Sequence, residues 1–337
     1  VVELKTFYAV LSGDYEGLAV EELKSILDVE SRGYNIDQVF EGVVLFKALI
    51  EDPEVIVSRA GYIREVGELI TIGSEDLELW WVREIARTIG GGSVRVEASR
   101  YKGYGSFSEP ELVRMLTSLG VRCRLDGSTV LRVITTEGVT IAGVRLATRE
   151  PGSFASRMPR KRPVFKPGTL TPKLSRLFVN LSRLRKGDVF LDPFCGVGGL
   201  ALEACLLGAS KVICGDIDRE AVVGALENLK HYTCHATLAI QSNSTKTPLA
   251  SETVDAIATD PPYGRSTTTK GASYEELTLS FLEEARRVLK RGHYLVYAGP
   301  YEKKPWILAR RTGLEVLGRY HMFVHGSLVR EIVIARA

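Results

Sequence analysis

Apolar positions change period several times along the chain, and each change marks an expected element. Phe7 to Leu11 alternates as a strand, Glu16 to Leu27 repeats with the period of an amphipathic helix, and strand alternation returns around Val39 to Ala48. Residues 53–68 and 75–90 are expected to be helical. Val55, Ile56, Arg59, Ile63 and Val66 recur at helical spacing, and Ser74 precedes two acids as an N-cap. Then come an alternating strand (SVRVEASRY), a helix with Pro110 near its first turn and Gly120 at its end, and two strands around Glu137-Gly138. From Asp188 onward strands and helices alternate strictly: DVFLD, GGLALEACLLG, KVICGD, DREAVVGALENLKHY, TLAIQ, TVDAIATD, SYEELTLSFLEEARRVLK, HYLVYAG. Fully apolar strands in such an alternation predict a buried, mostly parallel, doubly wound sheet. A closing pair of strands joined at His325-Gly326-Ser327 adds an antiparallel hairpin to one edge.

Composition sets the scale. With 337 residues, 45% apolar and 25% charged, the chain is ordinary globular material for two or three domains. No run approaches the ~18 apolar residues of a membrane helix, and the opening segment lacks a signal-peptide pattern, so a cytoplasmic protein is expected. Five cysteines without a C-x-x-C pair give neither a disulfide framework nor a zinc knuckle; scattered reduced thiols and no metal are expected, including at His231, Cys234 and His235. Four Asn and two Gln are few, a habit of hyperthermophile proteins.

Charge is divided unevenly. Residues 1–56 hold twelve Asp/Glu against four Lys/Arg, a formal −8; the remainder carries 40 Lys/Arg against 29 Asp/Glu, or +11. From Pro151 to Gly187 there are ten Lys/Arg and no acid. Such a run suits a polyanion, and Arg157, Arg160, Lys161, Arg162 and Lys166 are the RNA-binding candidates; a solvated linker face is the bland alternative.

In an open parallel sheet, ligands bind beyond the carboxyl ends of the strands. Three expected strands end in acids: Asp192, Asp216 and Asp260. Asp192 opens a glycine-rich loop, Asp192-Pro193-Phe194-Cys195-Gly196-Val197-Gly198-Gly199, whose glycines allow a tight turn and close ligand approach. An acid there repels a pyrophosphate and favours a cationic group such as the amino-acid part of S-adenosylmethionine. Asp216 stands at the offset where an acid accepts ribose hydroxyls, Ile217 follows as a cover for adenine, and Asn243 offers an amide for the adenine edge, with a turn-stabilising role as its alternative. The fourth strand ends in Asp260-Pro261-Pro262-Tyr263. Two prolines stiffen a backbone that aims the Asp260 carboxylate and the Pro261 carbonyl at one planar NH₂, while Tyr263 supplies a stacking face.

Three stretches carry a resemblance: Arg162-Pro163-Val164-Phe165-Lys166-Pro167-Gly168-Thr169-Leu170-Thr171-Pro172-Lys173-Leu174, the loop DPFCGVGG, and DPPYGRS. Together they resemble the archaeal tRNA guanine-10 N2-methyltransferases. The resemblance implies a class I (Rossmann-like) methyltransferase domain over 167–337, preceded by a ferredoxin-like α+β part (1–56), a THUMP RNA-binding domain (57–149) and a basic Pro/Arg linker (150–166). It also implies S-adenosylmethionine as cofactor and tRNA as substrate, methylated at guanosine N2 once or twice by a monomer. Carried over by position, Thr169, Asp192, Phe194, Cys195, Gly196, Gly198, Asp216, Ile217 and Asn243 fall at the cofactor, and Asp260, Pro261, Pro262 and Tyr263 at the chemistry. The chain departs from the family at Asn243, where an Asp commonly stands. Two rivals stay open: adenine-N6 or rRNA guanine methylation on the same fold, and a tRNA-binding protein without catalysis.

Overall fold

A computed structural model describes residues 3–102, 107–263, 273–326 and 328–337. The chain divides into two compact units, Val1–Glu150 and Pro151–Ala337.

The first unit comprises β1 (Lys5–Leu11), α1 (Glu16–Glu30), β2 (Ser31–Phe40), β3 (Val43–Ile50), α2 (Glu54–Arg59), β4 (Ile63–Ser74), α3 (Leu79–Ile89), β5 (Ser93–Lys102), α4 (Glu109–Ser118), β6 (Arg122–Cys123), β7 (Thr129–Thr136) and β8 (Val139–Thr148). Its strands form one eight-stranded sheet in the order β2-β3-β1-β4-β8-β7-β5-β6. The helix expected over 53–68 is shorter than its periodicity indicated: α2 stops at Arg59, and Ile63 begins a twelve-residue strand. The apolar spacing is explained by burial on strand faces. Ile63 and Val66 are fully buried, and β4 pairs with both β1 and β8, the two strands flanking it. The position 56/57 falls within α2, and the strands on either side of that helix belong to the same sheet. Helix α3 also starts later than expected: Glu78 is its N-cap, and the Ser74 hydroxyl instead donates to the Glu78 carboxylate at 2.6 Å. Ser108 and Glu111 form a reciprocal capping box at α4.

The second unit runs through α5 (Pro172–Leu181), β9 (Val189–Asp192), α6 (Gly199–Leu206), β10 (Lys211–Asp216), α7 (Arg219–His231), β11 (Thr237–Gln241), β12 (Val254–Thr259), α8 (Tyr274–Val288), β13 (Leu289–Pro300), α9 (Pro305–Arg311), β14 (Glu315–His325) and β15 (Leu328–Arg336). The sheet order is β11-β10-β9-β12-β13-β15-β14, parallel except where β15 pairs antiparallel with β13 and β14. The strand order reverses between β9 and β12, which places the switch-point crevice at their carboxyl ends. The expected closing hairpin is present; Ser327 of its turn lies outside the described residues. Helix α5, with Thr171 as N-cap and Pro172 in its first turn, and helix α9 were not anticipated.

The expectation of scattered reduced thiols is corrected here. Cys205 on α6 and Cys234 after α7 are joined in a disulfide, with Cα atoms 6.0 Å apart; Cys123, Cys195 and Cys214 are the free thiols. Their spacing of 29 residues gave no signal, because α7 folds back to bring the two ends together. The basic segment expected as a linker is ordered. It forms two 3-10 turns, Ala155–Arg157 and Pro159–Lys161, and folds as part of the second unit. Among the described residues, no helix is long and apolar enough to cross a membrane.

Candidate active site

The carboxyl ends of β9, β10 and β12 line up through the ladder. Cys214 pairs with Asp192, and the Thr259 hydroxyl donates to Asp192 Oδ1 at 2.7 Å, tying the end of β12 to the end of β9. Asp192 is buried and also accepts from the Phe194 amide at 3.2 Å. Burial pushes its carboxyl up to about 7, and the nearby charges of Asp216 and Asp260 add to the rise. Asp192 thus braces the loop from inside.

The glycine-rich loop leaves β9 in a tight turn closed by the bond from the Gly198 amide to the Cys195 carbonyl, 2.8 Å. Gly196 and Gly198 have φ of +50° and +82°, a region unfavourable to residues with a side chain. No atom lies within 4 Å of where a Gly196 side chain would begin, so that backbone is open to an approaching ligand. Asp216 spans the turn, its Oδ2 accepting from the Gly196 amide at 2.8 Å and its Oδ1 from the Asp218 amide at 2.9 Å. Ile217 beside it is 48% exposed, as a residue covering a flat ligand must be. Cys195 is buried with its thiol pushed up chiefly by its hydrogen bond with Cys214, and Phe194 packs edge-on against Phe281 at 5.1 Å. Both support the loop from the core side. The Thr169 hydroxyl donates to the Lys166 carbonyl at 2.7 Å, and its methyl lies beside Gly199. Asn243 is exposed, and its side-chain oxygen accepts from the amide and hydroxyl of Thr245 at 3.0 and 2.9 Å, the turn-stabilising role. An open glycine backbone flanked by the Asp216 carboxylate suits a ligand carrying hydroxyls and positive charge.

The Asp260-Pro261-Pro262-Tyr263 segment continues directly from β12. Pro261 is buried, Pro262 and Tyr263 half-buried; Gly264, Arg265 and Ser266 of the same motif lie outside the described residues. Asp260 is deeply placed, and burial raises its carboxyl pKa while the Arg330 guanidinium opposes that rise. The Tyr263 hydroxyl donates to Asp260 Oδ1. Arg330, from β15, donates to Asp260 Oδ2 at 3.1 Å and to the Tyr263 hydroxyl at 2.9 Å. Sequence reasoning missed Arg330. Its signal was present: Arg330-Glu331 is a charged pair near the start of a strand whose following residues, Ile332 to Ala335, are apolar and fully buried.

The basic candidates separate into two groups. Arg157 and Arg176 both pair with Glu203, which is fully buried on α6, at 2.6 and 2.7 Å. Arg162 is buried too, its Nε donating to the Arg157 carbonyl at 2.9 Å. Lys166 pairs with Asp218 at 2.5 Å. Arg157 is engaged within the second unit because the buried Glu203 carboxylate requires cationic partners, Arg162 is buried against the Arg157 carbonyl, and Lys166 makes a surface pair with Asp218. Arg160 and Lys161, the other two candidates, are exposed.

A family model described as "UPF0020: RMKL-like, methyltransferase domain" matches residues 159–332. The tRNA (guanine(10)-N2)-dimethyltransferase of Methanothermobacter thermautotrophicus is 32% identical over 336 residues, covering 96% of this chain and 97% of that protein. The Pyrococcus abyssi protein of the same name is 31% identical, covering 98% and 99%. Among solved structures, TrmN from Thermus thermophilus aligns with a TM-score of 0.53 at 23% identity over 99% of both chains, a likeness of fold.

Proposed function

The chain belongs to the RMKL-like methyltransferase family and to the tRNA (guanine(10)-N2)-dimethyltransferases, and from that premise we propose that it transfers methyl from S-adenosylmethionine to the exocyclic N2 of guanosine 10 in tRNA, once or twice. The observation that carries this reading is the seating of Asp260, Pro261, Pro262 and Tyr263 at the end of β12, next to the acid-lined glycine loop at the end of β9. The residues placed to hold the cofactor are Gly196 and Gly198 through their backbone, Asp216, Ile217 and Thr169. When bound, S-adenosylmethionine supplies an electrophilic methyl group on a sulfonium.

The lone pair of a guanine amine is delocalised into the ring, which makes the nitrogen a poor nucleophile. The Asp260 carboxylate and the Pro261 carbonyl accept from its two hydrogens and draw the nitrogen toward tetrahedral geometry. Both acceptors would also stabilise the positive charge that develops on the nitrogen as it is methylated. Asp260 or solvent then takes the surplus proton. Tyr263 offers its ring to the base, and the diproline keeps the two acceptors in fixed relation.

The first unit supplies the tRNA grip in this reading, with 57–149 as its THUMP part and 1–56 as the ferredoxin-like part before it. Arg160 and Lys161 add phosphate contacts. The test is nucleoside mass spectrometry of unmodified tRNA after incubation with enzyme and labelled cofactor. N2-methyl- and N2,N2-dimethylguanosine are expected, and both disappear when guanosine 10 is replaced by adenosine. In Asp260→Ala, methyl transfer is abolished while cofactor and tRNA affinities hold; a variant that still methylates removes the catalytic assignment.

A further inference from the structure

Both oxygens of Asp260 are occupied, one by the Tyr263 hydroxyl and the other by Arg330. Arg330 is 8% exposed, and it reaches the motif from β15, two strands from β12 in the sheet. It stands opposite Pro300 of β13 and Met322 of β14. Its guanidinium works as a fork, with Nη2 on Asp260 and Nε on Tyr263, and its Cζ lies 5.8 Å from the Tyr263 ring centre. We propose that Arg330 is a positioning residue of the methyl-transfer site, clamping Asp260 and Tyr263 together so that one carboxylate oxygen stays fixed while the other is exchanged from the tyrosine hydroxyl to the amine of the incoming base. This rests on the reading of Asp260 given above.

The charges around Asp260 explain why the clamp matters. Facing it are Arg330 from β15, Tyr263 from its own loop, Asp192 from β9 and Tyr274 from α8. Arg330 is the cation among these. Burial favours a protonated Asp260. A protonated carboxyl is a weaker acceptor and takes no proton from the amine. Arg330 opposes that protonation and, through its bond to Oδ2, also aims the carboxylate. The Nε bond holds the tyrosine hydroxyl when it gives up Asp260, so the ring stays near the base.

The experiment compares kcat, KM and pH–rate profiles of the parent, Arg330→Gln, Arg330→Lys and Asp260→Asn on unmodified tRNA with labelled cofactor. In Arg330→Gln, kcat at neutral pH falls about 10- to 100-fold, as on removal of a fixed electrostatic contact. The KM values for tRNA and cofactor stay put, and the acid limb of kcat moves up by about one pH unit or more, so that the deficit shrinks in alkaline buffer. Arg330→Lys restores the acid limb but not full kcat, because an ammonium keeps the charge and loses the fork. A parent-like kcat and acid limb in Arg330→Gln overturns the inference, as does a loss equal at every pH. If that variant does not fold, Arg330→Lys decides alone: a shifted acid limb or an undiminished kcat overturns it. An active Asp260→Asn instead sinks the underlying catalytic reading, whatever the Arg330 variants do.

Discussion

Gly198 sits at φ +82°, and a Cβ there would stand 3.2 Å from the Cβ of Ala225 on α7. Both the backbone angle and the space demand glycine, so Gly198→Ala is expected to cost about 1–3 kcal/mol. Because the strain falls in the loop proposed to hold the cofactor, affinity for S-adenosylmethionine should drop as well. Calorimetric titration with the cofactor and a thermal melt together check this. Asp192 yields a second expectation. Its folded pKa, about 7, lies above the usual carboxylate value, so the native chain holds a proton that the unfolded chain releases. The stability it contributes is present below about pH 4 and lost as pH rises through about 7. Asp192→Asn removes that ionisation, so its unfolding free energy should depend less on pH across this window than the parent's; chemical denaturation at a series of pH values measures the difference.

At the scale of elements, the disulfide between Cys205 and Cys234 staples α6 to the turn that follows α7, the two helices behind the crevice strands β9 and β10. Closing a loop of this length contributes about 2–4 kcal/mol by restricting the unfolded chain. Cys205→Ser, or reduction of the parent, is therefore expected to lower the melting temperature by several degrees, and equal melts of oxidised and reduced protein would contradict it. The same scale holds the clearest misreading of local pattern. Residues 63–74 carry apolar positions that fit a helix as well as a strand, and only pairing with β1 and β8 selects the strand. Short apolar runs do not distinguish the two by period.

At the scale of the whole molecule, the acidic opening and the basic middle leave the exposed pair Arg160 and Lys161 as the part of the 151–166 segment best placed to meet a phosphate backbone. Reversing both charges should weaken tRNA binding and reduce the slope of log affinity against log salt by about 1.5–2, one fraction per lost phosphate contact. An unchanged slope would show the pair to be ordinary surface. The alternating strands and helices of the second half, the loop glycines and the Asp260–Tyr263 motif were legible without coordinates, because strand periodicity, positive-φ turns and a rigid diproline are local properties of the chain. The resemblance to a methyltransferase family was legible for the same reason. The tertiary structure alone decided that Asn243 stabilises a turn, that Arg157 and Arg176 turn inward to Glu203, that two distant cysteines meet, and that Arg330 closes on Asp260. Each of these depends on which residues far apart in sequence share one buried space, and a buried charge or thiol takes its role from the neighbour it meets there rather than from its position along the chain.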